Sequence, residues 1–231
     1  VKVAALVFDF DGLILDTETP LFEEWREAYR RRGCELTLDL WRHSLGTKGG
    51  FDPCGHLGTL LGAPVDCEAV RGEVVPRYRA RCETQPLLPG VADVVVEARR
   101  LGLRTAVASS SSVGWVEGWL VRHGIRPLFD AVCGRDDVER VKPAPDLFLL
   151  AASRIGAPPE SCVVFEDSPN GMLAARAAGM KCIAVPNNLT RELALPEPDL
   201  VVASLADHSL AELLRALGGA PSPFAVENPA S

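Results

Sequence analysis

Residues 7–12 read "VFDFDG": two aspartates, Asp9 and Asp11, leave the apolar run Val3–Phe8 where it breaks into an Asp-Gly turn. A short apolar run closed by a turn signal reads as a strand buried on both faces. Carboxylates at the end of such a strand are costly unless a cation or a hydrogen-bond network compensates them. The rest of the chain has to supply that partner.

Outward from this strand, short apolar runs recur at Arg104–Ala108, Ala131–Cys133, Cys162–Phe165, Lys181–Val185 and Leu200–Ala203. Between and after them lie amphipathic or Ala-rich stretches, Val91–Leu101, Val113–His123, Pro145–Ile155, Gly171–Ala178 and Leu210–Leu217, whose spacing predicts helices. Strand–helix alternation of this kind argues for right-handed βαβ units and a parallel sheet. Residues 17–88 break the rhythm. They read as helical throughout, with no convincing buried strand, so they are expected to form an insertion between the first strand and the first crossover helix. Its joints fall near Asp16–Pro20 and Glu83–Pro89. The last residues, from about 219 to 231, are rich in Gly, Pro and Ser and are expected to be disordered.

Composition narrows the class. The 231 residues are 47% apolar but only 6% aromatic, which suits a Val, Leu and Ala core under helices. A net charge of −7 without a basic stripe argues against nucleic acid as a partner, and the arginines at 26 and 30–32 read as a solvated helix face. No apolar stretch reaches membrane-spanning length, and Lys2 leads directly into the strand without a secretory-leader pattern. Seven cysteines, scattered without a CxxC pair, point to a cytoplasmic, reducing compartment. Cys54 and His56 lack a second pair at zinc-ligand spacing.

In open α/β sheets ligands bind beyond the carboxyl ends of the strands. Four polar groups fall at or close to such ends: Asp9 with Asp11, Ser109 after "TAVAS", Lys142 in "VKPAP", and Glu166 with Asp167 in "VVFEDSPNG". Each is ambiguous alone, as a turn, an N-cap run or a surface lysine. All four in this order are much harder to dismiss.

The stretches "DFDGLILDTE", "ASSSS", "KPAPDLF" and "VVFEDSPNGMLAARAAGM" together resemble the haloacid dehalogenase-like superfamily, in its magnesium-dependent phosphatase and phosphomutase branch. The resemblance runs from about Val3 to Ala203. It implies a Rossmann-like parallel-sheet core (1–16 and 89–231) with an inserted all-helical cap (17–88). It also implies a Mg2+ cofactor held by Asp9, Asp11 through its backbone carbonyl, and Asp167, with Glu166 behind the metal's waters. Asp9 would be the nucleophile and Asp11 the general acid and base, while Ser109, Ser110 and Lys142 would hold phosphate. The partner would be a small phosphorylated metabolite. Leu13 replaces the more frequent Thr or Val, a change of packing only.

Three alternatives are weighed against hydrolysis. Dehalogenases of this kind lack the second aspartate and need no metal, whereas Asp11, Glu166 and Asp167 are all present here. A sugar phosphomutase similar to β-phosphoglucomutase would carry a histidine where this chain has Leu21, and an arginine where the loop "SLGTKGGF" (44–51) offers Lys48. A non-catalytic phosphate-binding module should have lost a reacting group, and none is lost. Lys48 and Glu18 are the expected substrate contacts from the cap; Trp41 is expected in the cap core, and Trp115 and Trp119 in buried packing.

Overall fold

In a computed structural model that describes residues 2–46, 50–218 and 220–221, the first apolar run forms β1 (Lys2–Val3) and β2 (Ala5–Phe8). Four helices follow: α1 (Glu18–Arg30), α2 (Leu38–Trp41), α3 (Pro53–Leu61) and α4 (Cys67–Cys82). The alternation then resumes as α5 (Val91–Arg100), β3 (Arg104–Ala108), α6 (Val113–Arg122), β4 (Ala131–Cys133) and α7 (Asp146–Arg154). It closes with β5 (Cys162–Glu166), α8 (Pro169–Ala177), β6 (Lys181–Ala184), β7 (Leu200–Val201), α9 (Leu210–Ala216) and β8 (Ala220–Pro221).

The main sheet has six parallel strands in the order β4-β3-β2-β5-β6-β7. The chain steps outward from β2 to one edge, returns, and steps outward to the other. The topological switch therefore falls between β2 and β5, where a doubly wound sheet opens its ligand crevice. Every residue of β2 is buried, as a central parallel strand requires. Its alternate side chains divide between two cores. Leu6 and Phe8 pack with α5, α6 and α9, and Ala5 and Val7 pack with α7 and α8. The fold is thus α/β, a three-layer Rossmann-like sheet with the helical insertion expected after its first strand.

Helices α1–α4 bury a separate cluster around Trp25, Tyr29, Trp41, Leu57 and Val74, joined by Leu189 from the loop after β6. Trp41 packs against Phe22 and Phe51 at ring distances of 5.7 and 6.4 Å, in the cap core as its sequence context suggests. The insertion also touches the sheet's crevice directly. Asn170 Nδ2 donates to the Leu45 carbonyl at 3.0 Å, and Ser110 Oγ donates to the Gly46 carbonyl at 3.3 Å.

Two expectations need correction. Cys54 on α3 and Cys67 on α4 form a disulfide, Cα–Cα 5.7 Å, where the scattered cysteines were expected as reduced thiols. Sequence spacing hid it because partners in a bond are set by how two helices meet. Cys34, Cys82, Cys133, Cys162 and Cys182 are free thiols, and His56 faces Tyr29, its Nδ1 3.1 Å from the phenol oxygen. The second correction concerns the tail. Ala220–Pro221 pairs in parallel with Lys2–Val3; the rest of 219–231, expected to be disordered, lies outside the described residues. No helix among the described residues is long and apolar enough to cross a membrane.

A cross-link closing a loop of 13 residues is worth about 3 kcal/mol. Replacing Cys67 by Ser should lower the melting temperature of the oxidised protein by roughly 6–12 °C and leave that of the reduced protein nearly unchanged. Equal melting curves in oxidised wild type and variant would show that the two sulfurs contribute nothing as a bond.

Candidate active site

Phe8 and Phe165 are register partners on neighbouring strands, and their rings stack at 4.7 Å. Asp9 N donates to the Phe165 carbonyl at 3.0 Å, carrying the pairing one residue beyond β2. The ends of β2 and β5 are thereby held level, so Asp9 emerges beside Glu166 and Asp167. Ser109 follows β3 in the same way, its N–H on the Cys133 carbonyl at 3.0 Å. Lys142 lies beyond β4, and its ammonium reaches into the same cluster, 2.5 Å from Asp9 Oδ1 and 2.6 Å from Glu166 Oε1. Phe148 lies 4.8 Å beneath it. The structure thus brings together Asp9, Asp11, Ser109, Lys142, Glu166 and Asp167, all of the core residues singled out from sequence except Ser110, whose hydroxyl turns to the Gly46 carbonyl of the insertion.

All but Asp11 of these six are nearly inaccessible to solvent. Burial pushes the Asp9 carboxyl up to about 7, opposed by the Lys142 ammonium and reinforced by Glu166 and Asp11. Asp167 is raised well above the carboxylate range by burial, then by Glu166, Asp9 and Glu18. Burial alone would lower the Lys142 ammonium, but Asp9 and Glu166 outweigh it and hold the side chain protonated. Glu166 is satisfied on both oxygens. Its Oε2 accepts from both the N–H and the hydroxyl of Ser168 at 2.9 Å. Gly171 leaves room for it: a Cβ there would fall 1.7 Å from Glu166 Oε1.

The three carboxyl groups are arranged for a cation. One oxygen each from Asp9, Glu166 and Asp167 lie within 4.8 Å of one another. Asp167 Oδ2 accepts from Asn187 Nδ2 at 2.7 Å, whereas Asp167 Oδ1 is buried without a hydrogen-bond partner. A buried acceptor left unpaired needs an explanation. An oxygen-rich, anionic set of this kind suits a small hard divalent cation, and the residues present fit one.

Asp11 sits apart from this cluster, half-buried. Its Oδ1 accepts from Thr17 Oγ1 at 2.7 Å and from Trp115 Nε1 at 3.0 Å; its Oδ2 accepts from Ser109 Oγ at 3.0 Å. Trp115 therefore does more than the packing expected of it, while Trp119 is core as expected. Asp9, Asp11 and Ser109–Ser111 form one wall of a cavity of about 280 Å³; Leu21, Trp25, Trp41 and Phe51 come from the helical insertion. Glu18 lines it too, raised well above the carboxylate range by burial and then by Asp11, Asp9 and Asp16. It does not cap α1, where Asp16 Oδ1 instead accepts from Thr19 N at 3.0 Å. Lys48 lies outside the described residues.

Sequence reasoning missed Thr17, Trp115, Ser168 and Asn187 as hydrogen-bond partners of the acidic residues, and Arg135 in the cavity wall. Ser168 was legible in principle, two residues after Glu166 and ahead of a helix-starting proline. Asn187 and Trp115 reach the site from loops and helices far along the chain, and nothing in their local sequence marks them.

The family profile described as haloacid dehalogenase-like hydrolase matches residues 3–179. YhcW of Bacillus subtilis (strain 168), a presumed phosphatase, is 42% identical over 212 residues, 92% of this chain and 96% of its own. Fructose-1-phosphate phosphatase YqaB of Escherichia coli (strain K12) is 37% identical over 187 residues, 80% of this chain and 97% of its own. Among solved structures, a variant of CbbY from Rhodobacter sphaeroides in complex with xylulose-(1,5)bisphosphate superposes with a TM-score of 0.71 at 30% identity, covering 89% of this chain and 96% of its own. With the switch-point carboxylates, the buried lysine and the helical insertion all in place, the chain belongs to the haloacid dehalogenase-like hydrolases.

Proposed function

We propose that the protein is a phosphomonoesterase that hydrolyses a small phosphorylated sugar or sugar alcohol through an aspartyl-phosphate on Asp9. The observation that carries this reading is the grouping of the Asp167 carboxyl, whose Oδ1 is buried without a partner, with those of Asp9 and Glu166, where Asp9 also lines a cavity with Asp11 and Ser109. Asp9, Asp167 and the Asp11 backbone carbonyl would hold Mg2+, with Glu166 behind its waters. Bound there, Mg2+ supplies the positive charge that offsets the carboxylates and the phosphoryl oxygens.

A carboxylate oxygen of Asp9 attacks phosphorus and the bond to the alcohol oxygen breaks. Asp11 gives its proton to that oxygen, then takes one from the water that attacks the aspartyl-phosphate and frees Asp9. Lys142 favours the ionised form of Asp9 and aims it, and Ser109 with Ser110 holds the phosphoryl oxygens. The insertion over the crevice, residues 17–88, serves as the cap that shields the intermediate.

Size and lining support a small polar substrate. At about 280 Å³ the cavity is below the ~300–1,000 Å³ of clefts that enclose drug-sized ligands. Its wall includes Trp41 and Ser44, whose Nε1 and Oγ are buried without partners, as well as Glu18 and Arg135. Relatives named hexitol phosphatase B and fructose-1-phosphate phosphatase point the same way. Leu21 lines the cavity where a mutase would place a histidine, which favours hydrolysis. Release of inorganic phosphate from a panel of hexitol, hexose and pentulose phosphates, with and without Mg2+, tests the reading. No release from any ester, or isomerisation of a hexose phosphate without release, would defeat it.

Metal uptake should depend on pH with a definite sign. The Asp9 carboxyl, raised from 3.8 to about 7, binds a proton in the metal-free folded protein that the unfolded chain has already lost. Its contribution to stability is full below the unfolded value and is lost as pH rises through about 7. Mg2+ has to displace that proton, so its apparent affinity should climb as pH rises through about 7. Calorimetric titration on either side of neutrality checks this; an affinity indifferent to pH contradicts it.

A further inference from the structure

The hydrogen bonds to Asp11 are unevenly divided between its two oxygens. Oδ1 accepts from two donors, Thr17 Oγ1 and Trp115 Nε1, which occupies both of its acceptor positions. Among the described residues Oδ2 accepts only from Ser109 Oγ, the hydroxyl assigned above to the phosphoryl group, and so lies on the side of the cavity where the ester would sit. Trp115 is itself held from two directions. Tyr78 of α4, in the helical insertion, stacks on it at 5.7 Å and 22°, and Trp119 meets it edge-on at 5.4 Å.

We propose that Trp115 is a positioning residue for Asp11: its indole N–H, together with Thr17, pins Oδ1 and leaves Oδ2 as the oxygen that passes the proton. The stack with Tyr78 makes the placement of that N–H depend on the seating of the cap. The proposal rests on the phosphatase reading above. In the first half-reaction the proton leaves Oδ2 for the alcohol oxygen, which keeps the electron pair of the broken P–O bond. In the second, Oδ2 accepts a proton from water as its oxygen bonds to phosphorus and Asp9 departs with the electron pair. Ser109 is free to turn to the phosphoryl oxygens because Asp11 stays tethered by the other two donors.

Trp115→Phe leaves an aromatic ring against Tyr78 and removes the N–H together with the smaller ring of the indole. The test compares single-turnover release of the leaving group from two esters: the sugar monophosphate of the panel that wild type cleaves fastest, and p-nitrophenyl phosphate, whose leaving group departs without a proton. The expected result is a loss of roughly 10- to 100-fold on the sugar ester, with KM unchanged and p-nitrophenol release within about twofold of wild type. Thermal melting checks that the variant is folded, and Trp115→Met, also without a donor, reads the same ratio should Phe not be accepted. Equal losses on both esters, or none on the sugar ester, overturn the role of Trp115. That failure is distinct from failure of the phosphatase reading, which shows as a wild type that cleaves neither ester or an Asp9→Asn that cleaves both.

Discussion

Asp9→Asn should lose at least roughly 10⁴-fold in kcat on every phosphate ester while folding normally, because it removes the nucleophile and little else. Asn has the same shape, and the substitution deletes a carboxylate that burial, Glu166 and Asp11 already disfavour. Lys142 keeps its contact with Glu166. The melting temperature of the metal-free variant should therefore match or exceed that of wild type, whereas Mg2+ should raise it less. Steady-state phosphate release and thermal melts with and without Mg2+ measure both halves. Turnover within about tenfold of wild type would remove Asp9 from the nucleophile's role.

Lys142→Met should be the most damaging single change to stability. The ammonium is 1% exposed and lies against two carboxylates as buried as itself. Removing one member of a buried ion pair typically costs about 3–5 kcal/mol, since the remaining charge has nowhere to go. Here two acids are stranded together. They can respond only by taking up protons, so the variant should be least stable at alkaline pH. Mg2+ should restore part of the loss, because a cation bound by Asp9 replaces some of the missing charge. Urea melts across pH, with and without Mg2+, give the comparison. Wild-type stability in metal-free buffer would show that Asp9 and Glu166 share a proton and need no counterion. Lys142 is also the residue for which activity and stability are least separable, so its kinetic loss carries less weight than that of Asp9→Asn.

What could be read along the chain was whatever depends on neighbours in sequence. The predicted strand Arg104–Ala108 and the predicted helix Val91–Leu101 follow from apolar period, and the structure reproduces them to within a residue at Arg104–Ala108 and Val91–Arg100, while the buried run Val3–Phe8 is divided into Lys2–Val3 and Ala5–Phe8. A parallel sheet brings the carboxyl ends of its strands to one edge, so Asp9, Ser109, Lys142 and Asp167 could be grouped from topology alone. The reach of each side chain could not. Only the folded chain decides that Asn187, separated by 20 residues from Asp167, occupies one of its oxygens and leaves the other bare. Only it sets Trp115 on Asp11 across 104 residues, or bonds Cys54 to Cys67. Periodicity reports which face of an element is buried. Which polar atoms meet across that burial depends on how helices and loops pack against one another, and no local pattern encodes it.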